Sequence, residues 1–295
     1  FLVHFCIKIL RKPKKILIII QRSNGDVFLG SSLIKALYEY YQAPQIDLLV
    51  NDDTLSIAKL LPFIKNIHTF SYQKKQLNRW SQERDILVGL FKKYDLSINL
   101  TASDRSVLYA LISGKKSISA VEVDRRKSWW KKILLTHFYY FDNSKHILKN
   151  NLEPLNCLKI NFENIHYPIQ VSKEATLNVK KKLVNMKVND FVIFHPSTQY
   201  QYKVYPQNLR NTLLSKLSEL GVSILVTGGN NSLDLAIKKQ IPSLPNIIDF
   251  IGETSLAEFF ALSELSLGYI GMDTLNMHIA AAQNKRIFAV FGPTN

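Results

Sequence analysis

The sequence predicts an α/β protein of two doubly wound domains facing each other across a cleft, and three observations predict it. Short apolar runs bounded by Gly, Asn or Pro recur along the 295 residues. They are continuous rather than alternating, as strands covered on both faces are. Helix-patterned segments separate them, which implies parallel sheets joined by right-handed crossovers. A chain of this length has ample core for one large or two ordinary domains.

The elements follow in order. In the first half, strands are expected at Ile16–Ile20, Ile46–Val50, Asn66–Phe70, Leu96–Leu100 and Ile118–Val123, with helices such as Gly30–Tyr41 and Thr54–Leu60 between them. In the second half the expected strands are Phe191–His195, Ser223–Thr227, Ile247–Phe250, Leu267–Ile270 and Ile287–Phe291. The helices there are expected at Asn208–Leu220, Leu233–Gln240, Leu256–Leu262 and Leu275–Ala282. The segment Ile160–Lys173 carries a Pro and loses periodicity, so it reads as a linker. Domains are therefore expected at 1–165 and 166–295.

Composition narrows the function classes. Hydrophobic residues make up 46% and charged residues 21% of the chain, ordinary for a globular protein. The two cysteines, Cys6 and Cys157, form no disulfide or metal pattern, which suits a reducing compartment. No apolar run approaches the roughly 18 residues of a membrane span. The net charge of +15 is unevenly shared. Residues 1–150 hold 25 Lys and Arg against 12 Asp and Glu, whereas residues 151–295 hold 13 against 11. The basic half suits an anionic partner, with simple solubility as the alternative. The opening "FLVHFCIKILRKPKK" lacks the order of a secretory signal and reads as an interfacial anchor or a lead-in to the first strand. The missing initial Met suggests part of a longer chain.

Candidate site residues cluster at strand carboxyl ends, where open α/β sheets bind ligands. In "ILIIIQRSNGDVFLG", Gly25 permits a tight turn and Asp26 enters a helix, either as its cap or as a general base. In "FVIFHPSTQYQYKVYP", Ser197, Thr198 and Lys203 suit phosphate, against the alternative of a solvated loop. His195 is read there as a packing residue. The glycines of "SILVTGGNNS" are a weak signal and do not make the G-x-G-x-x-G dinucleotide fingerprint.

"GMDTLNMHIAAA" is the richest stretch. Asp273 or Thr274 can cap a helix whose first N–H groups suit a diphosphate, and His278 lies four residues after Thr274 on the same face. A capped helix with a satisfied His is the plain alternative. Finally, "DRRKSWWKKILLTHFYY" alternates cations with aromatics. It could meet nucleic acid or an anionic membrane through Arg125, Arg126, Lys127, Trp129, Trp130, Lys131 and Lys132, or be a solvated basic helix. The membrane or anionic acceptor is preferred, and no nucleic-acid partner is expected.

Taken together, "ILIIIQRSNGDVFLGSSLIKAL", "QIDLLVNDD", "KHILKNNLEPLNCLKI", "IFHPSTQYQYKVYP", "ILVTGG", "IGETSLAEFFALSELSLGYIGMDTLNMHIAAA" and "FAVFGPTN" resemble glycosyltransferase family 9, the heptosyltransferases of lipopolysaccharide core assembly. The resemblance runs from Lys15 nearly to Asn295. It implies a GT-B architecture of two Rossmann-like domains, with the acceptor on the first and a nucleotide-sugar donor, most simply ADP-linked, on the second. It implies Asp26 as the general base and Lys203 as the phosphate-binding Lys. It further implies Ser197 and Thr198 as donor-side hydroxyls, and Asp273, Thr274 and Leu275 at the diphosphate with His278 nearby. The implied reaction inverts the sugar's anomeric centre in one displacement, with no metal or other cofactor. The implied setting is the inner face of the cytoplasmic membrane, with a lipopolysaccharide or lipooligosaccharide core acceptor.

The chain also departs from the family pattern. Leu275 stands where Gly is usual, Tyr205 where Trp is common and Glu253 where Lys is common. The family's further helix after "FGPTN" is missing, so the chain is expected to be cut short. A catalytically weakened sugar-nucleotide or glycolipid binder of the same fold is the alternative reading.

Overall fold

A computed structural model of the chain describes residues 12–162 and 167–292, and of residues 77–79 and 125 the backbone alone. The apolar-basic lead-in as far as Arg11, with Cys6, part of the linker and the closing residues 293–295 lie outside the described residues. The chain forms two compact units, Phe1–Pro168 and Ile169–Asn295.

The first unit is built on β1 (Lys15–Ile20), β2 (Gln45–Asn51), β3 (Ile64–Phe70), β4 (Tyr94–Asn99), β5 (Gly114–Val121) and β6 (His137–Tyr140). They form one sheet in the order β3-β2-β1-β4-β5-β6, with every described pair parallel. The run Ile16–Ile20 is wholly inaccessible, because β1 is central and helices cover both faces. Burying each such side chain stabilises the unit by roughly 1.5–3 kcal/mol before chain entropy is counted. Strand order reverses between β1 and β4, and that switch point opens the crevice where such sheets take ligands.

The second unit contains β7 (Phe191–His195), β8 (Ser223–Gly228), β9 (Ile247–Ile251), β10 (Gly268–Met272) and β11 (Arg286–Val290), in the parallel order β11-β10-β7-β8-β9. Its switch point lies between β7 and β10. The expected strands are all found, with ends moved by a few residues.

Two local expectations change. The basic-aromatic stretch is not one helix: it is helical over Arg125–Leu134, and His137–Tyr140 then becomes edge strand β6. Pairing with Ile118–Val121 of β5 favours the aromatic residues as a strand. The helix entered near Gly25 begins at Asn24 with Ser23 as its N-cap; Asp26 takes part in the capping, but from the third helical position.

Candidate functional site

In the second unit the site is built where β7 and β10 end side by side. Gly271 pairs with His195 across the ladder. A Cβ on Gly271 would come within 3.0 Å of the His195 backbone N and C, and closer still to its carbonyl oxygen. Glycine is therefore required for the two strands to meet. His195 is buried, with Nδ1 3.1 Å from the Thr227 hydroxyl and its ring nitrogens 3.2 and 3.3 Å from Asn276 Nδ2. One assignment serves both partners: Nδ1–H donates to Thr227 and Nε2 accepts from Asn276. Burial pushes the His195 pKa down to about 4, against the opposing pull of Asp234. The ring is neutral at neutral pH, so it ties three elements together and supplies no positive charge to an anion.

Beyond β10, Asp273 and Thr274 lead into the helix Leu275–Ala282. Thr274 sits at the N-cap position, yet its hydroxyl makes no capping bond. The Met277 and His278 N–H groups donate to the Thr274 carbonyl, while those of Leu275 and Asn276 have no backbone or capping acceptor among the described residues. Two donors and the positive end of the helix dipole are thus left open. The Leu275 backbone keeps this donor despite the bulk of its side chain. His278 Nε2 lies 3.8 Å from Asp273 Oδ1, so these two groups neighbour one another at the helix mouth.

The loop after β7 carries the remaining donor-side candidates. Ser197 is buried. The Thr198 hydroxyl donates to the Tyr200 carbonyl at 2.7 Å and accepts from the Tyr200 N–H at 3.3 Å, shaping its own turn. Lys203 Nζ lies 5.9 and 5.7 Å from the ring centroids of Tyr200 and Tyr202 and has no acidic partner among the described residues. Gly292, after β11, packs so closely on the Lys203 backbone that a Cβ there would lie 3.1 Å from the Lys203 carbonyl oxygen. The loop is thereby held against the strand next to β10. Tyr205 is half-buried and packs against the core cluster that includes Phe194 and Leu214. The glycines after β8 serve a turn: Gly229 N–H and Asn231 Nδ2 both donate to buried Asp234. Glu253 is exposed, and its carbonyl accepts from Lys182 at 2.6 Å.

In the first unit, Asp26 completes a capping box with Ser23. All three of its donors meet one oxygen: Arg22 Nε at 3.1 Å, Ser23 N at 3.3 Å and Ser23 Oγ at 3.0 Å from Oδ2. Among the described residues Oδ1 has no hydrogen-bond partner. A carboxylate fixed through one oxygen and open at the other has the geometry a proton acceptor needs.

The basic-aromatic helix divides between inside and outside. Arg126, Lys127 and Trp129 are exposed, Trp129 at 61%. Lys132 lies 4.8 Å from the centroid of the Tyr140 ring. Trp130 packs inward on Val107, Val121 and Leu135. Lys131 does not join a charged surface, which corrects the expectation for that residue: it is wholly buried, 2.7 Å from Asp104, 2.6 Å from Glu122 and 2.8 Å from the Ala102 carbonyl. The Arg125 side chain lies outside the described residues. Ile133 and Leu134, exposed beside Trp129, extend the outer face and were not anticipated from the sequence. Asn276 and Thr227 were also missed; a polar residue in a first helical turn and a Thr at a strand end are too common to stand out.

The family model described as glycosyltransferase family 9 (heptosyltransferase) matches residues 89–295. The chain is 26% identical over 284 residues to lipopolysaccharide heptosyltransferase 3 of Escherichia coli K12, spanning 93% of this chain and 81% of that protein. Its fold is similar to that of a family 9 glycosyltransferase from Veillonella parvula, with TM-score 0.78, 19% identity, and coverage of 96% of this chain and 81% of the other. It is also similar to the E. coli heptosyltransferase WaaC solved with ADP-2-deoxy-2-fluoro heptose, with TM-score 0.75, 15% identity, and coverage of 95% and 90%. The architecture is GT-B.

Proposed function

This chain belongs to glycosyltransferase family 9, and on that premise we propose that it transfers a heptose or related sugar, with inversion, from an ADP-linked donor to a lipopolysaccharide or lipooligosaccharide core acceptor. The names of its relatives support the reaction class, and a related protein solved with an ADP-heptose analogue supports the donor. The observation that carries the reading is the open first turn of Leu275–Ala282, at the switch point of the second sheet, in the same unit as Lys203, which has no acidic partner among the described residues. As the donor bond breaks, negative charge grows on the departing diphosphate. Helix N–H groups and a lysine already in place stabilise that charge without having to reorganise. Asp26 takes the proton of the attacking acceptor hydroxyl through its open oxygen, and Ser197, Thr198, Asp273 and His278 border the donor.

Calorimetry with ADP, UDP, GDP and CMP tests the donor side. ADP is expected to bind most tightly, and Lys203→Ala to weaken it about tenfold or more through loss of a charge-assisted contact. Equal, weak binding of all four nucleotides would defeat the donor assignment and favour a protein that binds glycolipid alone.

The acceptor is membrane-borne in this reading, and the outer face of Arg125–Leu134 suits an anionic lipid surface at the inner face of the cytoplasmic membrane. Trp129, Ile133 and Leu134 can enter the headgroup boundary while Arg126, Lys127 and Lys132 meet lipid phosphates. No helix among the described residues is long and apolar enough to cross a membrane. Co-sedimentation is expected with phosphatidylglycerol vesicles and not with phosphatidylcholine vesicles, and Trp129→Ser/Ile133→Ser should reduce it several-fold. Unchanged sedimentation of that double variant would remove this face as the contact.

A further inference from the structure

At the switch point of the first sheet, side chains from three segments present buried polar atoms that find no partner among the described residues. Gln21 follows β1 and Asn51 ends β2; Ile20 pairs with Val50, so the two carboxamides stand on one row. The row extends to Phe70 of β3, the partner of Asn51, and to Thr101 after β4, whose hydroxyl accepts from the Gln21 N–H at 3.0 Å. Side chains on one row of a parallel sheet share a face. Here it is the face of Leu17, Ile19 and Leu49, covered by Tyr109 and Ala110 of the helix Asp104–Ser113.

Arg105, in the first turn of that helix, lays its guanidinium 3.7 Å from the centroid of the Phe70 ring and donates from Nη2 to the Tyr72 hydroxyl at 3.0 Å. Gln21 and Asn51 are each 6% exposed. Even so, Gln21 Oε1 and Nε2, Asn51 Oδ1 and Arg105 Nε are buried without a hydrogen-bond partner among the described residues. Native folds seldom leave such atoms unpaired, so a group of them calls for an occupant or another physical cause.

The loop that delivers Arg105 is held firmly. The Thr101 N–H donates to Asn99 Oδ1 at 3.0 Å, the Ser106 hydroxyl donates to the Thr101 carbonyl at 2.7 Å, and buried Lys131 grips the Ala102 carbonyl and Asp104. Arg105 is therefore positioned before any ligand arrives, which lowers the cost of binding.

We propose that Gln21, Asn51 and Arg105 form a subsite for a compact anionic group of the acceptor, a carboxylate or a phosphate. The guanidinium, stacked on Phe70, offers a planar fork that matches either anion, and the two carboxamides supply further donors. Ordered water is the competing occupant; it satisfies the carboxamides but brings no charge to oppose Arg105. The proposal rests on the transferase reading only in calling the ligand an acceptor.

Two measurements separate the proposal from that reading. The Arg105 Nε–H resonance, assigned by its loss in Arg105→Lys, is followed while inorganic phosphate or glucuronate is added. A saturable shift with one of them is expected, which also tells phosphate from carboxylate, and it should disappear in Gln21→Leu. In transfer assays with a lipopolysaccharide core acceptor, Arg105→Gln should raise the acceptor KM roughly tenfold to a hundredfold and leave the ADP Kd unchanged. Gln21→Leu should raise the same KM without lowering Tm, because it removes unpaired polar atoms. An anion-dependent shift without any transfer would keep the subsite and defeat the transferase reading. Transfer with an unchanged acceptor KM in both variants, and no shift with either anion, would leave water as the occupant and overturn the subsite.

Discussion

Asp26→Asn is expected to lower kcat by about 10²–10⁴-fold, the usual contribution of a positioned general base. The amide keeps the size of the carboxylate and can still accept from Arg22 and Ser23, whose bonds all fall on one oxygen. What it loses is the capacity to take a proton at the open oxygen. ADP affinity should stay within about twofold, because the proposed donor groups lie in the second unit. Ser23→Ala is the control: it breaks the same capping box, at a typical cost of about 1 kcal/mol, while keeping the carboxylate. Rapid single-turnover transfer by Asp26→Asn, with only the mild destabilisation of Ser23→Ala, would reduce Asp26 to a helix-capping role.

Gly271→Ala is expected to produce the largest loss of stability, about 3 kcal/mol or more. The added methyl group would meet the backbone of His195 rather than a movable side chain. Relief requires separating β10 from β7 at the centre of the second sheet, where Phe194 and Ile193 are fully buried. The same movement would pull His195 away from Asn276 and Thr227, and with it the helix mouth proposed to take the donor. Urea unfolding should show the second unit destabilised, with ADP binding weakened in parallel. Gly89→Ala makes the comparison: a Cβ there meets nothing within 4 Å, within the helix Tyr72–Leu90, so a gain of roughly 0.5–1 kcal/mol is expected. Wild-type stability of Gly271→Ala would mean that β7 and β10 can part at this point without cost, and that the close approach does not hold the sheet together.

The central strands were legible because each is covered on both faces and so reads as an unbroken apolar run, "ILIII" in β1 being the clearest. Edge strand β6 was not. Phe138 and Tyr140 remain exposed while Tyr139 is buried, and four residues following a basic helix carry too short an alternation to be distinguished from its continuation. Asp26 was visible as a polar residue entering a helix, but its placement as the third helical residue, with a single oxygen engaged, depends on the turn that Ser23 begins.

By itself, then, the sequence determined most element types, the two-sheet class, the family, and the strand ends that carry Asp26 in the first unit and Lys203 and the Asp273–His278 stretch in the second. Those features depend on neighbours two to four residues away, or on motifs read in order along the chain. Which polar groups are spent and which stay open was decided only by tertiary structure. Lys131 and Lys132 are adjacent in sequence, yet Lys131 is buried because Asp104 and Glu122 arrive from other elements. Gln21 and Asn51 follow apolar runs like many other residues. They come to share a row and a face with Phe70, over which Arg105 lies, only because β1, β2 and β3 pair in register and the Asp104–Ser113 helix brings Arg105 to the same face. Burial and pairing are set by partners far away in the chain, and local pattern carries no record of them.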